Sequence, residues 1–142
     1  MKQRESLKVR AVIGNVPLAI DYVTECAEAA GFDARALYEI QLAVDEACAN
    51  VVDHAYQGMD PGEFEVSCSF GEACLTIDVR DWGRGFEPED VEQPDVEAPL
   101  EERTLGGLGL YIVNKVMDEV EFTFDPQAGN RLRMAKRIQV AG

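Results

Sequence analysis

The stretch EACANVVDHAY, residues 46–56, is the most informative part of this chain. Its apolar residues continue a stripe at the spacing of a helix face, formed by Leu37, Ile40, Val44, Ala47, Val51 and Ala55. Beside that stripe, Glu46, Asn50 and His54 follow one another four residues apart, so they form one polar row at the edge of the core. Such a row can hold a metal ion or activate a hydroxyl group. Taken alone, it is more often a solvated helix face with a hydrogen-bonded histidine.

The elements around this helix follow from apolar periodicity and from cap and turn residues. The chain begins with a strand at 7–13 and a helix that has Asn15 as N-cap and Pro17 in its first turn, runs to about Ala30 and stops at Gly31. A second helix runs from Asp33 to about Tyr56, and strands at 63–70 and 73–80 follow around a turn at Gly71–Glu72. The last elements are a helix at about 107–117 and strands near 119–124 and 130–138. The order β-α-α-β-β-loop-α-β-β indicates a two-layer α/β sandwich.

Side-chain alternation in the predicted hairpin assigns its cysteines to opposite faces. Cys68 lies on the inward face with its apolar neighbours, whereas Cys74 points outward, so the two sulfurs cannot form a disulfide. The other cysteines are Cys26 and Cys48, and we predict four reduced thiols, most of them buried. The absence of a CxxC pair and the presence of a single histidine argue against a zinc site.

A second motif, DWGRGF at residues 81–86, directly follows a predicted strand. Two glycines separated by one residue, Gly83 and Gly85, allow the backbone to approach a flat ligand closely. Asp81 at the strand end can accept a hydrogen bond from an exocyclic amine. Taken alone, the motif fits a surface turn equally well.

A third motif, TLGGLGL at residues 104–110, leads directly into the third predicted helix. Glycines before a helix start leave several N–H groups available to bind phosphate, and the helix dipole favours the negative charge. Arg103 could fold over such a phosphate from the preceding loop. That loop, residues 87–102, contains eight acidic residues, three prolines and no basic residue, so we predict a mobile segment.

The overall composition narrows the classes of partner. The 142 residues carry 13 Lys and Arg against 27 Asp and Glu, a net charge of −14, which repels nucleic acid and anionic lipid.

The length fits one domain, taken as residues 1–142. The N-terminal MKQRESLKVR is not followed by an apolar stretch long enough for a signal peptide, so a cytoplasmic protein is expected.

The order of the three motifs resembles that of a known superfamily. Glu46…Asn50, then Asp81-x-Gly83-x-Gly85, then Gly106-Gly107-Leu108-Gly109 is similar to the N, G1 and G2 boxes of the GHKL ATP-binding superfamily. The compact form EACANVVDHAY…DWGRGF…GGLGLYIVNKVMDEVEF most resembles bacterial anti-sigma factor serine/threonine kinases, over about residues 7–138. This resemblance implies a Bergerat-type fold, which is a mixed, mostly antiparallel sheet with helices on one face, and an ATP lid at about residues 86–103.

The resemblance also implies a role for each motif. Asn50 would ligate a Mg²⁺ ion that bridges the phosphates, Asp81 would receive the adenine amino group, and Glu46 would be the general base. The other residues implied are Gly83 and Gly85 beside the base, and Arg103, Thr104, Gly106, Gly107, Leu108 and Gly109 around the phosphates. Related folds often carry a threonine near the adenine in one of the last strands, whereas residues 129–134 contain none, so another group could hold the linking water.

The expected function is therefore an ATP-dependent serine/threonine protein kinase and anti-sigma factor in partner-switching regulation. It would bind a sigma factor and phosphorylate an antagonist of the STAS type, and it could form a homodimer. Two alternatives stay open at this point. One is a nucleotide-gated partner-binding module without significant kinase activity, and the other is a stand-alone ATPase.

Overall fold

The computed structural model describes residues 2–3, 6–56, 62–83, 107–125 and 127–138, with the backbone alone for 2–3 and 107–110. Its strands are β1 Lys2–Gln3, β2 Leu7–Arg10, β3 Glu63–Gly71, β4 Cys74–Asp81, β5 Glu119–Asp125 and β6 Gly129–Arg137. Its helices are α1 Val16–Ala30, α2 Ala34–Asn50 and α3 Gly107–Val116, with a short 3₁₀ helix at Ile13–Asn15 and a π-helical turn at Val51–Ala55. The predicted order of elements is confirmed, with β1 added and β2 shorter than expected.

Residues at the ends of α1 explain where it stops and correct one prediction about where it starts. Gly31 has a φ of +99°, and its N–H donates to the carbonyls of Ala27 and Glu28, which ends the helix as predicted. Asn15 occupies the N-cap position, but its side chain does not cap the helix. Its Nδ2 instead donates to the Arg10 carbonyl at 3.0 Å. Asn15 is the last residue of the 3₁₀ helix that leads the chain into α1.

The helix α2 starts at a conventional cap and continues beyond its last regular turn. The Oδ1 of Asp33 accepts a hydrogen bond from the N–H of Ala36 at 2.9 Å. After Asn50 the helix widens into the π-helical turn, which reaches Ala55, so the predicted end near Tyr56 is confirmed. π-Helical turns inside α-helices are frequent at functional sites.

The strands form one sheet in which every pairing among the described residues is antiparallel. The order is β1-β3-β4-β6-β5, and β2 also pairs with β3. This confirms the two-layer α/β sandwich with an antiparallel sheet, while none of the described pairs supplies the parallel component of a mixed sheet. In the β3–β4 hairpin the register pairs Gly71 with Cys74, so the turn lies at Glu72–Ala73, one residue later than predicted.

The helices cover one face of the sheet and enclose the core. The inward residues of the hairpin are buried as predicted: Phe64, Val66 and Cys68 on β3, and Leu75, Ile77 and Val79 on β4. They pack into one cluster with Ile40, Val44 and Ala47 of α2. Cys74 lies on the other face, and all four cysteines are free. None of the helices in the described ranges combines the length and apolar character that a membrane crossing requires.

The turn of the β3–β4 hairpin generates a prediction about stability. Glu72 and Ala73 have φ angles of 54° and 59°, in the left-handed region where a Cβ costs roughly 1–2 kcal/mol. Glycine removes that strain but adds freedom to the unfolded chain, so we expect Ala73→Gly to raise the free energy of unfolding by about 0.5 kcal/mol. Chemical denaturation measures the change.

Ala128→Gly is the matched control, because Ala128 is an exposed turn residue of the described chain without a positive φ. We expect this variant to be no more stable than wild type. If Ala73→Gly were as destabilising as Ala128→Gly, the turn geometry would be wrong.

Candidate functional site

Asp81 at the end of β4 is the single buried polar or charged residue in the described part of the chain, at 8% exposure. Its Oδ1 accepts two hydrogen bonds, from the N–H of Gly83 at 3.0 Å and from the Nδ2 of Asn130 at 2.8 Å. No described residue donates to its Oδ2. Among the described residues, the carboxylate is therefore held through one oxygen only.

Burial determines the ionisation of Asp81. It raises the pKa of the Asp81 carboxyl above its ordinary value, and the bonds from Asn130 and Gly83 oppose this shift without cancelling it. A buried carboxylate that lacks donors on one oxygen is stabilised when a ligand supplies an N–H group. The exocyclic amine of a base, expected here from the sequence, is such a donor.

Asn130 is a site residue that sequence reasoning did not identify. The β4–β6 register places it directly opposite Asp81, and its Nδ2 also lies 3.3 Å from the Gly83 carbonyl oxygen. Its own Oδ1 is buried and has no hydrogen-bond partner among the described residues. The signal available in the sequence was indirect, because residues 129–134 lack the expected threonine but hold a short polar side chain immediately after a glycine.

Gly83 is required by packing as well as by any ligand. A Cβ on Gly83 would lie 2.1 Å from the Ala55 carbonyl oxygen, so the absence of a side chain lets the Asp81–Gly83 turn contact the π-helical turn after α2. This contact joins the second motif to the helix that carries the first. The predicted place of Gly83 beside a base stays a prediction.

Tyr56 ties the same two segments together through its hydroxyl group. The hydroxyl accepts a hydrogen bond from the N–H of Trp82 at 3.0 Å and donates one to the Glu63 carbonyl at 2.5 Å. Burial is the largest cause of the raised pKa of Tyr56, which keeps the hydroxyl protonated as a donor. The sequence had placed Tyr56 only as the end of a helix.

The polar row of α2 lies where the helix meets the core. Asn50 and Glu46 are both half-buried and one turn apart, and His54 follows, half-buried, on the π-helical turn. The Nδ2 of Asn50 is buried without a hydrogen-bond partner in the described chain. Burial, and to a smaller extent the neighbouring Asp45, raises the pKa of Glu46. A buried donor without a described partner and a carboxyl of raised pKa, one helical turn apart, are typical of a ligand site.

The third motif is only partly within the described residues. Its Gly107, Leu108 and Gly109 form the first turn of α3, which packs against α2. The first N–H groups of a helix have no partner within the helix, so this end suits an anion. The remaining predicted site residues, Gly85, Arg103, Thr104 and Gly106, lie outside the described residues, as do the acidic segment 87–102 and the expected lid at 86–103.

The contact at Gly83 leads to a prediction about the assembly of the site. A methyl group at this position would overlap the Ala55 carbonyl, and the main chain on both sides would have to move. We expect Gly83→Ala to lower the free energy of unfolding by about 2 kcal/mol, within the range for overpacked positions, as measured by chemical denaturation. Gly14→Ala is the matched control, because a Cβ there meets nothing within 4 Å. Equal stability of the two variants would show that the turn does not contact α2.

Comparison with known proteins agrees with these motifs. The family model of the histidine kinase-like ATPase domain matches residues 9–136. The chain is 36% identical over 103 residues to Serine-protein kinase RsbW of Listeria monocytogenes serotype 4a (strain HCC23), covering 70% of this chain and 66% of that protein. It is 34% identical over 113 residues to Serine-protein kinase RsbW of Bacillus thuringiensis (strain Al Hakam), covering 77% and 69%. The chain thus spans slightly less than two thirds of the Listeria protein.

The matched residues include all three helices and nearly the whole sheet. They also include Glu46, Asn50, Asp81 and Asn130, the side chains described above for the candidate site. Fold, motif order and the extent of the match lead to one conclusion: this chain belongs to the histidine kinase-like ATPase domain family.

Proposed function

We propose that this chain is an ATP-dependent serine/threonine protein kinase that also acts as an anti-sigma factor. The observation that carries the proposal is the pair on α2. Glu46, a carboxylate of raised pKa, lies one helical turn from Asn50, whose buried Nδ2 has no hydrogen-bond partner among the described residues. Membership of an ATPase domain family supports nucleotide binding. The name of the two relatives, Serine-protein kinase RsbW, supports transfer of phosphate to a serine.

The nucleotide would bind between α2 and the end of β4. Adenine would place its amino group against Oδ2 of Asp81, which accepts no bond from a described residue, with Gly85 beside the base. The phosphates would lie at the start of α3, bound by Arg103 and by the N–H groups of the third motif, formed by Thr104, Gly106, Gly107, Leu108 and Gly109.

Asn50 would hold a Mg²⁺ ion beside the phosphates. The amide group of Asn50 carries an oxygen of the kind that Mg²⁺ accepts as a ligand, and the buried Nδ2 of the same group has no hydrogen-bond partner among the described residues that would fix its orientation. The described residues contain no group of three or more His, Cys, Asp or Glu side chains able to hold a metal, so the ion would depend on phosphate oxygens for further ligands. When bound, Mg²⁺ would neutralise charge on the phosphates.

Glu46 would act as the general base. The hydroxyl oxygen of a serine or threonine attacks the terminal phosphorus of ATP, the bond to the bridging oxygen breaks, ADP leaves, and the hydroxyl proton goes to the Glu46 carboxylate. A raised pKa makes the Glu46 carboxylate a stronger base.

The partners we propose are a sigma factor and a STAS-type antagonist, with phosphate transferred to the antagonist. Nucleotide state would change the relative affinity for the two proteins, because a ligand shifts an equilibrium by its differential affinity for the two states. A homodimer is part of this proposal. Direct binding to nucleic acid or membrane is not, because the net charge of −14 opposes it.

Asn50→Ala tests the metal and phosphate assignment. We expect the affinity for Mg²⁺-ATP to fall by at least about tenfold, equivalent to about 1.4 kcal/mol, as measured by isothermal titration calorimetry. Asn50→Asp keeps an oxygen ligand and should retain magnesium-dependent binding. With EDTA present, wild type and Asn50→Ala should bind ATP equally. Unchanged Mg²⁺-ATP affinity in Asn50→Ala would exclude the assignment.

Glu46→Gln tests the chemical step. The amide cannot accept the proton, so we expect phosphotransfer to fall by at least about 100-fold while ATP affinity stays the same. Thermal stability should be equal or higher, because burial and Asp45 disfavour the ionised form that glutamine replaces. Phosphotransfer is measured with γ-labelled ATP and purified STAS-domain proteins from the same genome.

Asp45→Asn is the matched control, since Asp45 is the exposed neighbour of Glu46 on α2. It should phosphorylate within a few-fold of wild type. Normal phosphotransfer by Glu46→Gln would refute the base assignment. Nucleotide binding by wild type with no transfer to any STAS-domain protein would favour the partner-binding module, and steady phosphate release without an acceptor would favour the stand-alone ATPase.

A further inference from the structure

We propose that Asn130 is a positioning residue that determines the preference of this site for adenine over guanine. It holds the Asp81 carboxylate in one orientation, so that a single oxygen acceptor faces the base. The inference rests on the nucleotide site proposed above. It adds a residue of β6, a strand that contains none of the three sequence motifs.

The backbone of β6 brings Asn130 to Asp81. The two residues are directly paired across β4 and β6, at the distance over which a short amide reaches a carboxylate. The preceding Gly129 has a φ of +97°, and a Cβ on it would lie 2.7 Å from the Asp81 carbonyl oxygen and from the Trp82 ring. The start of β6 is thereby packed against the Asp81–Trp82 backbone, and the position of Asn130 follows from that contact.

The Asn130 amide restricts Asp81 without adding charge. Its Nδ2 is 2.8 Å from Asp81 Oδ1 and 3.3 Å from the Gly83 carbonyl oxygen, so it spans both ends of the turn. Together with the Gly83 N–H, it gives Oδ1 two donors and leaves Oδ2 without one in the described chain. A lysine or arginine at this position would form an ion pair with the carboxylate and compete with a ligand donor, whereas a neutral amide does not.

The oxygen of the Asn130 amide also favours a ligand. Its Oδ1 is buried and has no hydrogen-bond partner among the described residues. From the bond lengths of an amide, this oxygen lies within about 5 Å of Asp81 Oδ1. A buried acceptor without a donor is unfavourable, so a donor from a bound base or its bridging water would stabilise this position.

A fixed carboxylate oxygen discriminates between purines. Adenine carries an amino donor at the position where guanine carries a carbonyl acceptor. The Oδ2 of Asp81, which accepts no bond from a described residue, attracts the amino group and repels the carbonyl. If Asp81 took up a proton, its carboxyl group could donate to the guanine carbonyl, and if it rotated, the acceptor would no longer be held facing the base; either change would weaken the discrimination. The bond from Asn130 opposes both changes, since it is the larger of the two hydrogen-bonding influences that lower the pKa of Asp81 against burial.

The test compares ATP and GTP binding to Asn130→Ala and Asn130→Asp by titration calorimetry, each between about pH 5 and pH 8. Both nucleotides share the triphosphate, so their ratio reports on the base alone. We expect Asn130→Ala to lower the ATP affinity by about tenfold, the loss typical of a hydrogen bond to a charged group, and to lower the ATP-to-GTP preference. Arg131→Ala, on the other face of β6, is the matched control and should bind like wild type.

The pH profile separates positioning from a structural effect. In wild type, ATP affinity should fall as the pH falls, because Asp81 must be ionised to accept the amino group and its pKa is raised. In Asn130→Asp, two carboxyls would share one proton, and the protonated carboxyl at position 130 can donate to Asp81 as the amide does. The affinity of this variant should therefore fall as the pH rises and that proton is lost.

The outcomes distinguish this inference from the proposed function. If wild type binds ATP in preference to GTP, and both variants keep that preference and the wild-type pH profile, the role of Asn130 is refuted and the nucleotide site stands. If wild type binds neither nucleotide, both the site and the inference are refuted. Circular dichroism and thermal melting confirm that each variant is folded before its affinity is interpreted.

Discussion

The close approach of Gly83 to the Ala55 carbonyl is the contact on which the rest of the site depends. A Cβ at this position would lie 2.1 Å from that oxygen, so only glycine lets the turn after β4 reach the π-helical turn after α2. Through it, the helix that carries Glu46 and Asn50 is joined to the strand end that carries Asp81. The Tyr56 hydroxyl strengthens the junction by bonding to the backbone on both sides. The distance between the proposed catalytic and base-binding groups is thus set by main-chain packing.

The site concentrates polar groups that are poorly satisfied by the protein itself. Asn50 and Asn130 each bury an amide atom without a partner in the described chain, and burial raises the pKa values of Asp81 and Glu46. Such groups lower the stability of the folded state, and proteins retain them where a ligand supplies the missing interactions. Two more buried nitrogens without a described partner, the Nε atoms of Arg80 and Arg131, lie on the opposite face of the sheet. Between the helices and the inner face of the sheet the core is apolar and continuous.

Sequence reasoning succeeded where the governing interactions are local. The α2 stripe, the inward face of the β3–β4 hairpin and the end of α1 at Gly31 were all predicted, because helix and strand periods and the left-handed preference of glycine act over a few residues. It failed in two places, for different reasons. Asn15 bonds to the Arg10 carbonyl and does not cap α1, because it ends the 3₁₀ helix with helical backbone angles instead of the extended ones of a capping residue. Asn130 was missed because its partner is 49 residues away.

By itself, the sequence determined the class of fold, the order of its elements and the family. Apolar periodicity and the three spaced motifs are patterns of the sequence itself, and they can be recognised without knowing which distant residues are in contact. Only the tertiary structure decided which groups face one another. The pairing of β4 with β6 places Asn130 on Asp81, and the packing of the β4 turn on α2 brings the second motif to the first. Strand register and helix packing depend on the whole core, so no local pattern specifies them.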